Sequence, residues 1–170
     1  MTKENKILIS LIGISTVFIL ILGTIFATKT QPPVLESSGD AKVEVLGAKL
    51  HDWGEIDIEG GNVEKTFLIK NAGTSNLDIS NFKTSCMCTE AQVTIAGVQS
   101  PAFGMHATSS WKGTLAPDST AEVKVVFDPL FHGPQGTGPI TRLVSFDTND
   151  PSNRTVEFRL TGNVVSKEVD

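Results

Sequence analysis

Two cysteines, three histidines and no excess of basic charge leave this 170-residue chain with few tools for chemistry. Lysine and arginine number 14 against 19 aspartates and glutamates, a net charge of −5. No basic field exists to attract a phosphate backbone, so nucleic acid is not an expected partner. The sequence also lacks a nucleophile elbow, a phosphate-cradling glycine loop and a zinc-protease helix motif. With so few histidines and no paired carboxylates, general acid–base catalysis has no visible players. The chain therefore reads as a non-enzyme. After residue 41 no stretch keeps a helical period, which argues against a helical domain.

What is present begins with one long apolar run. Residues 7–27, ILISLIGISTVFILILGTIFA, carry no charge. As a helix rising 1.5 Å per residue they would span roughly 30 Å, the thickness of a bilayer's hydrocarbon core. A cleavable signal peptide usually has a shorter apolar core followed by a small-x-small site. Here bulky Ile25 stands where a small residue is wanted, and no lipidation cysteine follows. The expectation is an uncleaved transmembrane signal anchor over residues 7–27. Lys3 and Lys6 before it favour a cytoplasmic segment over residues 1–6. The rest would then lie outside the cytoplasm, in a periplasm or at a cell surface, where a disulfide survives. Residues 28–41, with Pro32-Pro33 and a Ser/Gly/Asp cluster, read as a spacer.

Beyond the spacer the pattern has period two. Ala121, Val123, Val125 and Phe127 alternate with polar residues, as do Val156, Phe158 and Leu160. Val63, Lys65, Phe67 and Ile69 share a face of another candidate strand, 63–71. Further candidates are 43–47, 49–53, 76–82, 88–95 and 140–147, separated by turn signals at Gly60-Gly61, Asn71-Ala-Gly73, Pro117-Asp118 and Asn149-Asp-Pro151. The fold class expected over residues 42–165 is all-β, an immunoglobulin-like β-sandwich of about seven strands, followed by a tail over 166–170. Two connections are long for such a fold: residues 96–120, and the glycine- and proline-rich residues 128–139.

Both cysteines fall in SCMCT, residues 85–89. In an extended strand Cys86 and Cys88 would project to one face and Met87 to the other. A disulfide wants Cα atoms roughly 4.4–6.8 Å apart, and an extended i,i+2 pair sits at or beyond the top of that range. A metal tolerates the spacing better, since each Zn–S bond is about 2.3 Å long. His106 and His132 lie in the two long connections and would complete a Cys₂His₂ set for zinc. With Met105 as a ligand the softer set suits copper(I). Met105 and His106 are neighbours, so both could ligate only if the chain bends there, as Gly104 permits. Against this stands the bland reading of a packed, metal-free pair, cysteine being among the most buried residue types. A reversible disulfide is the third alternative. Among the remaining candidates, His51 reads as a half-exposed strand residue. Trp53 and Trp111 read as packing aromatics. Arg142 reads as a partner for a carboxylate such as Asp128 or Asp147.

Several motifs in combination resemble a bacterial Ig-like family known as a domain of unknown function and related to the ASH and major-sperm-protein-like domains. They are Trp53-Gly54, the strand ending in KNAGTSNLDI (residues 70–79), the Ser-Cys-x-Cys-Thr element, AEVKVVFDP (121–129), and TNDP (148–151) ahead of VEFRLTGNV (156–164). The resemblance covers roughly residues 43–165. It implies a seven-stranded, usually exported sandwich with no assigned activity, related domains serving as interaction or scaffold modules. The family's common element is Cys-Gly-Cys, where this chain has Met87, and the connection from Cys88 to Pro117 is about twice the family's common length. The expected function is a membrane-anchored interaction module for other envelope proteins. The alternatives are a copper or zinc site built from Cys86, Cys88, His106, His132 and Met105, and a redox pair at Cys86 and Cys88.

Overall fold

The computed structural model describes residues 3–29 and 33–166. Of the expected N-terminal segment, spacer and tail, residues 1–2, 30–32 and 167–170 lie outside the described residues. Helix α1 runs Lys3–Lys29. Among the described residues no helix is long and apolar enough to cross a membrane. The transmembrane helix expected over residues 7–27 thus has no support from the described residues.

The remainder is a sandwich of two five-stranded sheets. One sheet holds β1 (Val43–Leu46), β3 (Val63–Asn71), β8 (Thr120–Phe127), β5 (Thr89–Ile95) and β6 (Val98–Gln99) in that order. The other holds β2 (Leu50–Asp57), β10 (Thr155–Val165), β9 (Gly138–Thr148), β4 (Leu77–Thr84) and β7 (Lys112–Leu115). All pairings are antiparallel except β2 with β10. Among the described residues ten strands stand where about seven were expected. The additions include β6 and β7, both inside the long connection 96–120.

That connection is built into the fold. Ala96 and Gly97 both have positive φ and close a tight hairpin between β5 and β6, the geometry such two-residue turns require. Phe103 then bridges to Ala91 and packs beneath Phe82, ring centroids 5.3 Å apart. Trp111 closes on both Phe82 and Phe103. Gly113 follows at closest approach, since a Cβ there would meet the Trp111 ring and Ile95.

The core lies between the sheets, where the period-two faces meet. Phe67 and Phe158 stack from opposite sheets at 4.1 Å, with Phe82 and Phe146 beside them. A smaller apolar cluster sits apart from it. It comprises Ile56, Ile58, Cys88, Phe127 and Val164, with Trp53, Val63, Cys86 and Ile140 partly buried against it. Trp53 stacks on Phe127 at 5.8 Å, so both tryptophans are packing residues.

Much of the recognisable sequence pattern serves this frame. Asn71 donates its amide to the carbonyls of Ser75 and Leu115 and accepts from the Gly73 N–H. Asn149 accepts from the Asp78 N–H and donates to the Asn76 carbonyl. Buried Asp150 accepts from the Val43 and Ser152 N–H groups and from the Asn153 amide. The chain enters the fold before residue 42. Ser38 donates to the Asn149 carbonyl, and the Asp40 carbonyl accepts from Thr74 and Ser75. A Cβ on Gly73 would collide with that Asp40 carbonyl.

Candidate functional site

The SCMCT element turns where an extended strand was expected. A register shift between Ser80 and Lys83 in β4 marks a bulge, and Asn81 within it has φ of 54°. Bulges bend a strand and re-aim the residues beyond them. After Thr84 the backbone folds back on itself, with the Thr89 N–H donating to the Cys86 carbonyl. The Thr84 hydroxyl, buried, lies 2.9 Å from the carbonyl oxygens of both Cys86 and Thr89. Ser85 ties the turn to β9 twice, its N–H to the Leu143 carbonyl and its hydroxyl to the Leu143 N–H. The Cys88 carbonyl accepts from Asp128 at the end of β8.

This fold-back corrects the reading of Cys86 and Cys88 as a packed, unbonded pair. Their Cα atoms stand 5.2 Å apart and the two sulfurs form a disulfide. A turn brings the pair inside the range that an extended strand would have exceeded. Cys88 is buried and Cys86 half-buried, while Met87 projects outward, 56% exposed.

Two cationic or proton-bearing side chains face the sulfurs. Arg142 Nε donates to Cys88 Sγ at 3.1 Å, and its guanidinium lies over the Phe127 ring, 5.1 Å from the centroid. Its other contact is a donation from Nη1 to the Thr141 carbonyl. The expected carboxylate partner is absent among the described residues. Asp147 instead accepts from Asn81 and Thr155, and Asp128 from the Leu130 N–H. Burial lowers the Arg142 pKa from its ordinary value, but a guanidinium stays charged at neutral pH.

His132 comes from the connection between β8 and β9. That segment winds through successive turns, Phe131 N–H to Asp128 carbonyl, Gly133 N–H to Leu130 carbonyl and Gly136 N–H to Gly133 carbonyl. Gly133, with φ of 80°, supplies the left-handed residue this path requires. The result places His132 Nε2 at 3.6 Å from Cys86 Sγ.

Of the five residues expected to hold a metal, the structure gathers three. The ligand atoms of Cys86, Cys88 and His132 all lie within 4.8 Å of one another. His106 is not part of that group. It sits with exposed Met105 in a turn closed by the Ala107 N–H on the Gly104 carbonyl. The anchor of that turn is Phe103, held on β5. Beside the disulfide a shallow cleft of about 260 Å³ is lined by Met87, Cys88, Glu90, Asp128 and Phe131, among others. Leu130 and Phe131 are 48% and 46% exposed. The lone arginine in the apolar strand β9 was the sequence signal for this site, but its partner is a sulfur and not the expected carboxylate.

Residues 45–102 match the family described as a protein of unknown function, DUF1573. The resemblance to a bacterial domain of unknown function is therefore borne out over those residues. The DUF1573 match includes the aromatic-glycine pair, the Asn71 turn and both cysteines, but ends before His132 and Arg142. A protein of unknown function from Porphyromonas gingivalis W83 has a similar structure, with a TM-score of 0.55 and 16% identity over 77% of this chain. This chain spans half the length of that protein. The ASH/PapD-like domain 7 of human CEP192 aligns over 81% of this chain and 94% of its own length, at 16% identity and a TM-score of 0.46. No curated protein sequence matches the chain significantly.

Proposed function

We propose that the chain is a membrane-tethered, extracytoplasmic binding module that meets a protein partner through the disulfide-bearing end of the sandwich. The observation that carries this is exposed Met87 and Phe131 lining one cleft, with exposed Leu130 next to Phe131 in the chain, on turns held by hydrogen bonds. Apolar side chains offered on a fixed scaffold with a polar rim, here Glu90 and Asp128, suit a protein surface. The tether rests on the uncharged run 7–27, helical within Lys3–Lys29 and bearing exposed isoleucine, leucine and phenylalanine. An external location rests on the same run and on the disulfide, which persists where thiols are oxidised. The test is a photo-crosslinking side chain placed at position 131 and, as control, at exposed position 157 on β10. Adducts to a discrete protein from position 131 alone support the reading, and equal or no adducts from the two positions remove it.

The triad gives a second reading. Once the disulfide is reduced, two thiolates and one imidazole would suit a soft cation, copper(I) before zinc. Titrating the reduced full-length protein with copper(I), beside a Cys86→Ser/Cys88→Ser variant, decides it. One-to-one binding lost in the variant supports the site, and no binding by the parent protein ends it.

A further inference from the structure

Three features of the docking end stay unexplained by docking alone. The disulfide closes a loop containing one intervening residue, so it restrains the unfolded chain very little. It also lies outside the main core, which is complete without it. Finally, its two sulfurs differ: Cys86 is half-buried beside His132, and Cys88 is buried beside Arg142. A staple has no need of that asymmetry, but a reversible couple does.

We propose that Cys86–Cys88 exchanges with a pair of thiols on an extended segment of a partner protein. This rests on the reading of the same end as a protein-contact surface. One partner thiolate attacks Cys86 Sγ, the more accessible sulfur. The Cys86–Cys88 bond breaks and its electron pair leaves on Cys88 Sγ, where the Arg142 Nε–H is already aimed. The product is a mixed disulfide between Cys86 and the partner. The partner's second thiolate attacks its own sulfur in that mixed bond, and the electron pair passes to Cys86 Sγ, within reach of His132. Two electrons and two protons have then moved from the partner dithiol, oxidised to a disulfide, to Cys86 and Cys88. The reverse sequence reduces a partner disulfide. The cleft edged by Met87 and Phe131 lies at the Cys88 end of the disulfide and would hold the apolar flanks of the segment.

The test uses full-length protein in detergent, with glutathione and a synthetic dithiol peptide bearing apolar flanks as the two probes. Oxidised glutathione added to a reduced Cys88→Ser variant should leave a mixed disulfide on Cys86. A Cys86→Ser variant should leave Cys88 modified at least tenfold more slowly. Arg142→Met should slow reduction of the disulfide about tenfold, with Arg142→Lys recovering part of the rate at unchanged melting temperature. Met87→Ser/Phe131→Ser should slow the peptide and leave glutathione unaffected. Equal modification of both cysteines, or no exchange with glutathione by folded protein, overturns the exchange while leaving the docking reading intact. Exchange with glutathione but no peptide preference in the parent protein removes the docking contribution instead.

Discussion

Arg142 Nε stands 3.1 Å from Cys88 Sγ, a contact that joins the middle of β9 to the turn between β4 and β5. It depends on Ser85, whose two hydrogen bonds to Leu143 fix the turn against that strand one residue along. Ser85→Ala should therefore loosen the site more than the fold. The expected cost is about 1 kcal/mol in stability, with faster exchange of the Leu143 amide hydrogen. A loss several times larger in urea denaturation would show that the turn is part of the core.

Removing the disulfide should cost little. For a loop this short the chain-entropy relation gives about 1.6 kcal/mol. Cys86→Ser/Cys88→Ser protein should fold, retain its strand signal in circular dichroism and melt a few degrees lower. Failure to fold would make the disulfide structural and contradict its reading as a reversible couple.

The inter-sheet stack is where stability should concentrate. Phe67 and Phe158 are both buried at the centre of the sandwich. Phe158→Ala should cost about 3–5 kcal/mol by urea denaturation. An effect below about 1 kcal/mol would mean that the two sheets do not pack as described.

Asp150 carries a pH dependence. Burial works to raise its pKa, but hydrogen bonds from the Asn153 side chain and the Ser152 and Val43 N–H groups outweigh this and lower it. A carboxylate with a depressed folded pKa adds stability that is fully present above its unfolded pKa, about 3.9. That stability is lost as pH falls through the folded value. Asp150→Asn should therefore destabilise at pH 7 by about 2–4 kcal/mol. The gap to the parent protein should narrow below pH of about 4. A gap that stays constant to pH of about 2 would sink the assignment.

The sandwich was legible wherever alternation was strong. β8 and β10 place apolar residues at every second position, Ala121 to Phe127 and Val156 to Leu160, β3 does so at Phe67 and Ile69, and no helical reading competes. β6 and β7 were not legible, because strands of two and four residues show no period and exist by pairing with β5 and β4. The cysteines stood out by rarity, but their bonding did not. Alternation implied an extended SCMCT, whereas Thr84, Ser85 and Asp128 hold it as a turn, and those contacts come from three separate elements. His132 was identifiable as a ligand type. Its distinction from His106 depends on turns that bring one histidine to the sulfurs and on Phe103, which pins the other loop to β5. Arg142 was misassigned to a carboxylate because the sequence does not show which strand register will place it against a sulfur.

As proposed, Cys86 and Cys88 form a reversible couple on an otherwise self-sufficient fold. The most direct measurement equilibrates full-length protein in glutathione buffers of graded ratio, then counts free thiols by mass-tagged alkylation while monitoring the fold by circular dichroism. A reversible couple gives a single two-electron transition between disulfide and dithiol with the strand signal unchanged. A disulfide that opens only when the protein unfolds would contradict it.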